Sequence, residues 1–247
     1  MSFGLTSAVV WQRLRAVYGS LRERGLEVTF RYLVVRILDL VDGIRFDLRH
    51  GVHTVGLAPA ADESRGFFYR SSPVRLLKRS IESTSIHYKH FVFIDLGSGK
   101  GRALFLAAAF PFKRILGVEL SKKLHEVATR NIAAYKPRTA SSAEIHSICS
   151  DAATYDFPQE PLVIYMFNPF PENVFSDILA NLKISWERNP RSIFVIYVKP
   201  FLSLLLDRCG FLERDHTVFV PFLKRNIKTY SAIVYRSRTS LEVRSEA

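Results

Sequence analysis

The stretch that decides the fold is residues 91–120, which read FVFIDLGSGKGRALFLAAAFPFKRILGVEL. It begins with a short apolar run of β-branched and aromatic residues, which is typical of a strand buried on both faces. After Asp95, glycine occupies every second position of a tight loop, and an alanine- and leucine-rich helix follows at 102–110. A second apolar strand then ends in another acid, Glu119. A strand, a glycine loop, a helix, a strand and an acid in this order predict a βαβ unit that binds a nucleotide.

The spacing of the glycines helps to choose the ligand. Loops that bind the pyrophosphate of a dinucleotide read G-x-G-x-x-G, whereas this loop reads D-L-G-S-G-K-G at 95–101. The acid before the first glycine would repel a pyrophosphate, but it helps to hold an ammonium group. The free N–H groups of the loop favour a carboxylate, and Glu119 is placed to accept hydrogen bonds from both hydroxyls of a ribose. S-adenosylmethionine combines a ribose, a carboxylate and an amine.

On these residues the segment resembles the class I S-adenosylmethionine-dependent methyltransferases, whose loop reads D-x-G-x-G-x-G and is followed by a strand ending in V-E. The resemblance implies an enzyme with S-adenosylmethionine as its cofactor. It also implies that an acid after the third strand accepts a hydrogen bond from the adenine amine, and a helix cap is a compatible second role for that acid. The cofactor-binding residues predicted in this way are Asp95, Gly97, Ser98, Gly99, Gly101, Glu119 and Asp151.

Similar methyltransferases often fold the segment before the glycine loop over the cofactor. Tyr69 is the candidate for such a lid, because a π face near the sulfonium cation is favourable. Ordinary packing of Tyr69 with the neighbouring Phe67 and Phe68 is the alternative.

The rest of the chain predicts an α/β fold. Strand-like runs at 143–149, 162–167 and 192–198 alternate with helical patterns, and two last strand-like runs are joined by a loop at 223–226 that is short enough for an antiparallel hairpin. Together these elements make a Rossmann-like, seven-stranded, mostly parallel sheet with an antiparallel C-terminal hairpin. The predicted domains are an N-terminal helical extension at 1–55, a methyltransferase domain at 56–239 and a C-terminal tail at 240–247.

The N-terminal extension contains two amphipathic helical patterns, one ending near residue 24 and one at 26–41. Their apolar faces predict packing on the catalytic domain or on a second subunit, so a homodimer through these helices is one expectation. Contact with a membrane surface is the alternative, and Asp39 and Asp42 argue against it because such helices usually carry a strongly cationic polar face. The glycines at 44–61 predict a loop.

The composition excludes several classes of protein. Of 247 residues, 48% are hydrophobic and 13% aromatic, which predicts a folded core. The net charge of +12 indicates an anionic partner, nucleic acid included, or only a basic surface, and the basic residues are too scattered for a dedicated nucleic-acid arm. Two distant cysteines without metal-ligand spacing, and no visible signal peptide or membrane span, predict a cytoplasmic protein without a transmembrane segment. The histidines also lack ligand spacing, so no metal is expected.

The end of the fourth strand predicts where the methyl acceptor binds. In an open α/β sheet the ligand lies at the carboxyl ends of the strands where the strand order reverses, so Asp95 and Asn168 should face each other across the cofactor. The sequence N-P-F-P at 168–171 resembles the acid/amide-P-P-aromatic motif of methyltransferases that act on amines, although Phe170 replaces the second proline. By this resemblance Asn168, Pro169 and Phe170 are catalytic, and acceptor oxygens position the nitrogen. A plain strand-to-helix turn capped by Asn168 is the alternative.

These features predict N-methylation of an amine on a protein, with a partial likeness to protein lysine methyltransferases outside the SET family. A lysine must lose its proton first, and apolar walls from Phe167, Phe170 and Tyr197 would lower its pKa. Nucleic-acid and small-molecule methyltransferases remain alternatives. An NAD(P)-binding oxidoreductase and a non-catalytic binding module with a Rossmann-like fold are alternatives from other classes.

Overall fold

Helices and strands alternate along most of the chain. This computed structural model describes residues 26, 30, 33–58, 69–137, 143–220 and 231–238. The helices are α1 (33–50), α2 (Val74–Ser83), α3 (Arg102–Ala107), α4 (Lys122–Ala134), α5 (Glu172–Arg188) and α6 (Ser203–Asp207). The strands are β1 (Leu57–Ala58), β2 (Tyr69–Arg70), β3 (Val92–Leu96), β4 (Arg114–Glu119), β5 (Glu144–Cys149), β6 (Leu162–Met166), β7 (Ile193–Val198), β8 (Leu212–Phe219) and β9 (Ser231–Ser237).

Seven of the strands form one sheet in the order β5-β4-β3-β6-β7-β9-β8, and β1 and β2 form a small antiparallel ribbon. Neighbouring strands from β5 to β7 are parallel, whereas β9 is antiparallel to both β7 and β8. The seven-stranded, mostly parallel sheet and its antiparallel C-terminal hairpin are therefore confirmed. The order of the strands reverses between β3 and β6, which is where an open α/β sheet binds its ligand. The predicted hairpin loop at 223–226 and the tail at 240–247 lie outside the described residues.

The sheet is covered by an apolar layer on each face. All residues of β3 and of β6 are buried, and their side chains alternate between the two layers. One layer packs beneath α5 around Phe175 and Leu182, and the other packs beneath α2 and α3 around Leu77 and Leu104. The uninterrupted apolar runs of the sequence thus correspond to strands buried on both faces.

Helix α1 continues beyond the predicted end at residue 41. Residues 33–50 are helical, and Gly51, with φ +70°, follows the helix. Gly43 is needed inside this helix, because a Cβ at that position would lie 2.5 Å from Nη1 of Arg102. The glycine therefore serves close packing, and the loop predicted at 44–61 is wrong over residues 44–50, which continue the helix. The helix predicted before residue 24 lies outside the described residues.

An apolar stripe runs along the outer face of α1. Leu33, Ile37, Leu40 and Ile44 follow one another at intervals of three or four residues, and each is at least 36% exposed. This spacing places the four side chains on one side of the helix, so we call them the α1 stripe. Within the described ranges, no helix has the length and apolar character that crossing a membrane requires.

Candidate cofactor and acceptor site

The glycine loop and the acids predicted from the sequence meet at the carboxyl ends of β3 and β4. Asp95 is in register with Gly117 of β4 on one side and with Tyr165 of β6 on the other. The loop after β3 is tied to β4, because the N–H groups of Gly97 and Ser98 both donate to the Val118 carbonyl, at 2.9 and 3.1 Å. The loop then enters α3.

The loop is held between two side chains that the sequence singled out. Gly97 and Gly99 have φ values of +78° and +56°, which favour glycine. A Cβ on Gly99 would overlap the ring of Tyr69, and a Cβ on Gly97 would lie 2.8 Å from Cβ of Pro169. Tyr69, half-buried, therefore lies directly on the loop, and its role as a lid stays a prediction.

Glu119 connects the loop to the start of α4. Its Oε2 accepts a hydrogen bond from the Gly99 N–H at 2.7 Å, and its Oε1 accepts one from the Ser121 N–H at 2.8 Å. Burial raises the pKa of this carboxyl, and the two backbone hydrogen bonds oppose that shift. Each carboxylate oxygen can accept a second hydrogen bond, so both hydroxyls of a ribose can still be bound.

Asp95 is buried without a hydrogen-bond donor among the described residues, and it is only 4% exposed. Burial and the nearby charge of Glu119 raise the pKa of Asp95 well above its ordinary value. Ser98 Oγ and Tyr165 Oη are also buried without a partner in the described part of the chain. A buried carboxylate left without a partner is costly, and a bound cation that donates hydrogen bonds would offset that cost. The position therefore suits an ammonium group.

Asp151, the predicted adenine residue, begins the turn after β5. Its Oδ1 accepts a hydrogen bond from the Ala153 N–H at 3.0 Å, so it caps the short helix Ala152–Thr154. The cap was the second role expected for this acid and does not conflict with binding an adenine amine, which stays a prediction.

The segment after β6 holds Asn168 in a fixed orientation. Asn168 has φ +42°, and its Oδ1 accepts a hydrogen bond from the Tyr197 hydroxyl at 2.6 Å. Pro171, without a side-chain cap, occupies the N-cap position of α5, so Asn168 does not cap this helix. Phe170 and Tyr197 are buried in the layer beneath α5, whereas Phe167 lines an open cleft. Of the three predicted apolar walls, only Phe167 lines this cleft.

A buried network behind the loop was missed by the sequence analysis. Arg102, the first residue of α3, is 2% exposed and pairs with Asp47 of α1 at 3.1 Å. Its Nε donates to the Thr54 hydroxyl at 2.6 Å, and Asp47 also accepts hydrogen bonds from the backbone N–H groups of Thr54 and Val55. The only local signals were an arginine that begins an apolar helix and an acid within an apolar helical segment.

The same network holds the lid candidate. The Tyr69 hydroxyl donates to the Thr54 carbonyl at 2.8 Å, and Lys100 Nζ donates to the Val55 carbonyl at 3.1 Å. Lys100 Nζ also lies 5.2 Å from the centroid of the Tyr69 ring. Helix α1 and residues 52–55 therefore support both sides of the contact between Tyr69 and Gly99.

We expect Asp47→Ala to destabilise the protein by about 3–5 kcal/mol, because it leaves the buried Arg102 guanidinium without its countercharge. Asp42→Ala is the matched control. It removes an acid from the same helix whose partner, Arg75, is 62% exposed, so its expected cost is below about 1 kcal/mol. Urea unfolding followed by circular dichroism measures both variants. If both variants lose the same free energy of unfolding, the buried pair contributes no more to stability than the exposed pair.

Three solved structures are similar to this chain over about two thirds of its length. A ribosomal protein L11 methylase from Lactobacillus delbrueckii is 16% identical with a TM-score of 0.46, covering 67% of this chain and 78% of its own. An S-adenosylmethionine-dependent methyltransferase from Leishmania major is 13% identical with a TM-score of 0.48, covering 66% and 71%. A magnesium protoporphyrin IX methyltransferase from Synechocystis, solved with bound S-adenosylmethionine, is 15% identical with a TM-score of 0.47, covering 67% and 78%.

No protein-family model matches the sequence, and no curated protein is significantly similar to it. The structural similarities are partial and the identities low, so they assign neither an activity nor a substrate to this chain. Among the described residues, no group of three or more histidine, cysteine, aspartate or glutamate side chains could hold a metal ion.

Proposed function

We propose that this protein is an S-adenosylmethionine-dependent methyltransferase that methylates a nitrogen, most simply an amine of a protein. The observation that carries the proposal is the buried Asp95 carboxylate, which has no donor among the described residues and stands beside the D-x-G-x-G-x-G loop. A cation that donates hydrogen bonds would stabilise the ionised form of this carboxyl, and the ammonium group of S-adenosylmethionine is such a cation. A dinucleotide would bring a pyrophosphate to the loop, where the Asp95 carboxylate would repel it.

Each part of the site has a separate task in this proposal. Asp95 binds the ammonium group and Glu119 binds the ribose. The N–H groups of Gly97, Ser98 and Gly99 already donate to Val118 and Glu119, so the carboxylate expected at this loop needs another donor. Tyr69 covers the loop and excludes water from it. When bound, S-adenosylmethionine supplies a methyl group on an activated sulfonium, so the protein mainly has to align the acceptor.

Asn168 is proposed to align the accepting nitrogen. Its amide oxygen is held by the Tyr197 hydroxyl, and an oxygen of this kind can accept a further hydrogen bond. The amide stays neutral when it does so, which suits an acceptor nitrogen that must keep its lone pair directed at the methyl group. The position next to Pro169, which packs on Gly97, supports this role.

Calorimetry with S-adenosylmethionine and, separately, with NADPH tests the cofactor proposal. We expect micromolar-range binding of the first and none of the second, and the reverse result would refute the proposal in favour of an oxidoreductase.

Incubation of the enzyme with cell extract and radiolabelled S-adenosylmethionine then tests the acceptor. Label in protein supports the proposal. Label only in nucleic acid or only in small molecules would contradict the protein acceptor and identify the acceptor class instead.

Asn168→Ala is expected to lower kcat by about 10²–10³-fold, which is the effect of losing one hydrogen bond made in the transition state. Cofactor affinity should change little, because the residue is predicted to contact the acceptor. Asn168→Asp should keep part of the activity, since the accepting oxygen remains. A wild-type rate for Asn168→Ala, or a labelled product that is an ester or ether, would exclude this role.

The α1 stripe supports the further proposal of a homodimer through α1. Intervals of three and four residues are those of the apolar seam between two packed helices, and the stripe is exposed in the single chain. Sedimentation equilibrium of the wild type and of an Ile37→Glu variant tests it. If the wild type sediments as a monomer, the proposed homodimer is wrong.

A further inference from the structure

Tyr165 carries a buried hydroxyl in the middle of the sheet. The residue belongs to β6, and its side chain is fully buried. Its Oη has no hydrogen-bond partner in the described part of the chain. The Ser72 hydroxyl is near enough to influence the pKa of Tyr165, but the two groups do not form a hydrogen bond. A buried hydroxyl without a partner is costly, and phenylalanine would fill the same space without that cost.

The Tyr165 side chain lies on the same face of the sheet as the Asp95 side chain. The two residues are paired in register on the neighbouring parallel strands β6 and β3, whose backbones lie about 4.8 Å apart. Phe93, two positions before Asp95 and therefore on its face, stacks with the Tyr165 ring at 6.3 Å between centroids. Phe93 and Tyr165 both belong to the layer beneath α2 and α3. The buried carboxyl and the buried hydroxyl are therefore neighbours.

These two neighbours do not satisfy each other. A tyrosine hydroxyl can donate to a carboxylate, yet the Tyr165 hydroxyl donates to no described residue, and Asp95 receives no hydrogen bond from the described ranges. Burial and the charge of Asp95 raise the pKa of Tyr165, although Ser72 opposes the shift. The hydroxyl therefore keeps its proton at neutral pH and remains a donor. A ligand that satisfies both residues must offer a hydrogen-bond donor to Asp95 and an acceptor to Tyr165.

We propose that the Tyr165 hydroxyl binds the carboxylate of S-adenosylmethionine while Asp95 binds its ammonium group. Both groups of the ligand are attached to one carbon, so the donor for the carboxylate must lie next to the acid that binds the ammonium. Tyr165 occupies that position, and it replaces the loop N–H groups that already donate to Val118 and Glu119. The proposal rests on the methyltransferase function and adds a residue that selects for an intact amino-acid head group.

Calorimetry of the full chain with two ligands tests this role. Decarboxylated S-adenosylmethionine keeps the ammonium group, the sulfonium and the ribose of S-adenosylmethionine but lacks its carboxylate. In Tyr165→Phe we expect the affinity for S-adenosylmethionine to fall at least about tenfold, the effect of losing one hydrogen bond to a charged group. The affinity for the decarboxylated ligand, measured by competition if it is weak, should equal that of the wild type, because the hydroxyl has no group to bind there.

The free protein should not lose stability in Tyr165→Phe. Phenylalanine keeps the ring that packs on Phe93 and removes an unpartnered hydroxyl, so thermal unfolding should occur at or above the wild-type temperature. Ser80→Ala is the matched control. Ser80 Oγ in α2 is also buried without a partner within the described ranges, and its removal should leave both ligand affinities unchanged.

Wild-type affinity of Tyr165→Phe for S-adenosylmethionine, or equal losses of affinity for the two ligands, would overturn the proposal. A Tyr165→Phe variant that unfolds would overturn it as well, because the hydroxyl would then have a structural role. If the wild type binds both ligands equally tightly, the carboxylate is not recognised and only this inference fails. If the wild type binds neither ligand, the proposed function fails instead.

Discussion

Gly99→Ala is expected to abolish measurable binding of S-adenosylmethionine, with a loss of at least about a hundredfold in affinity. The new Cβ would overlap the Tyr69 ring, and a residue with φ +56° is strained unless it is glycine. Tyr69 is not free to withdraw, because its hydroxyl is bonded to the Thr54 carbonyl. Gly99 also donates its N–H to Glu119, so any movement of the loop displaces the acid proposed to bind the ribose. Calorimetry with S-adenosylmethionine measures the effect.

Gly210→Ala separates backbone strain from the steric overlap. Gly210 has φ +80°, but a Cβ there would meet nothing within 4 Å. It should cost about 1–3 kcal/mol of stability from strain alone and leave cofactor affinity unchanged. A double variant, Gly99→Ala with Tyr69→Ala, should recover stability relative to Gly99→Ala because the overlap is removed. Wild-type cofactor affinity in Gly99→Ala would mean that the loop does not bind the cofactor.

Asp95→Asn is expected to weaken S-adenosylmethionine binding by about 10- to 150-fold, equivalent to the ~1.5–3 kcal/mol of a hydrogen bond to a charged group. It should also remove a pH dependence. In the free protein the pKa of Asp95 is raised, whereas an ammonium group requires the ionised carboxylate. The affinity of the wild type should therefore increase with pH until the pH exceeds that raised pKa, and then level off.

The same substitution should make the free protein more stable at neutral pH. Because the folded-state pKa of Asp95 lies above the ordinary value, the stabilising contribution of its protonated form is present below pH ~3.8 and is lost as the pH rises through the folded-state pKa. Asn keeps the neutral form at every pH. Urea unfolding and calorimetry from pH 5 to 8 measure both effects, with the exposed Asp156→Asn as control. A variant that binds as tightly as the wild type would show that Asp95 does not hold the cofactor.

The sheet and the cofactor loop were predictable because their signals are local. The apolar run of β3, the glycine loop and Glu119 lie within 30 consecutive residues. Each of these residue types indicates by itself either a backbone conformation or burial. The cap role of Asp151 was also correct, because a cap contacts a residue only two positions away.

The features that the sequence did not predict depend on contacts between residues that are far apart in the chain. Asp47 and Arg102 are 55 residues apart, and no periodic pattern in the sequence predicts that they form an ion pair. The loop predicted at 44–61 begins too early, because glycine usually disfavours a helix, whereas Gly43 lies inside α1 with Arg102 packed closely against it. Asn168 was assigned from its motif, whereas its partner Tyr197 lies on another strand.

The position of β9 also has a consequence for biosynthesis. This strand lies between β7 and β8, although it follows both in the sequence. Until residues 231–237 leave the ribosome, β7, with five of its six residues buried in the finished sheet, has an unpaired edge. Exposed apolar edges pair readily with other chains. A nascent chain that stalls before β9 would therefore depend on chaperones, and a nonsense mutation at this point would produce an aggregating product in place of a shorter folded protein.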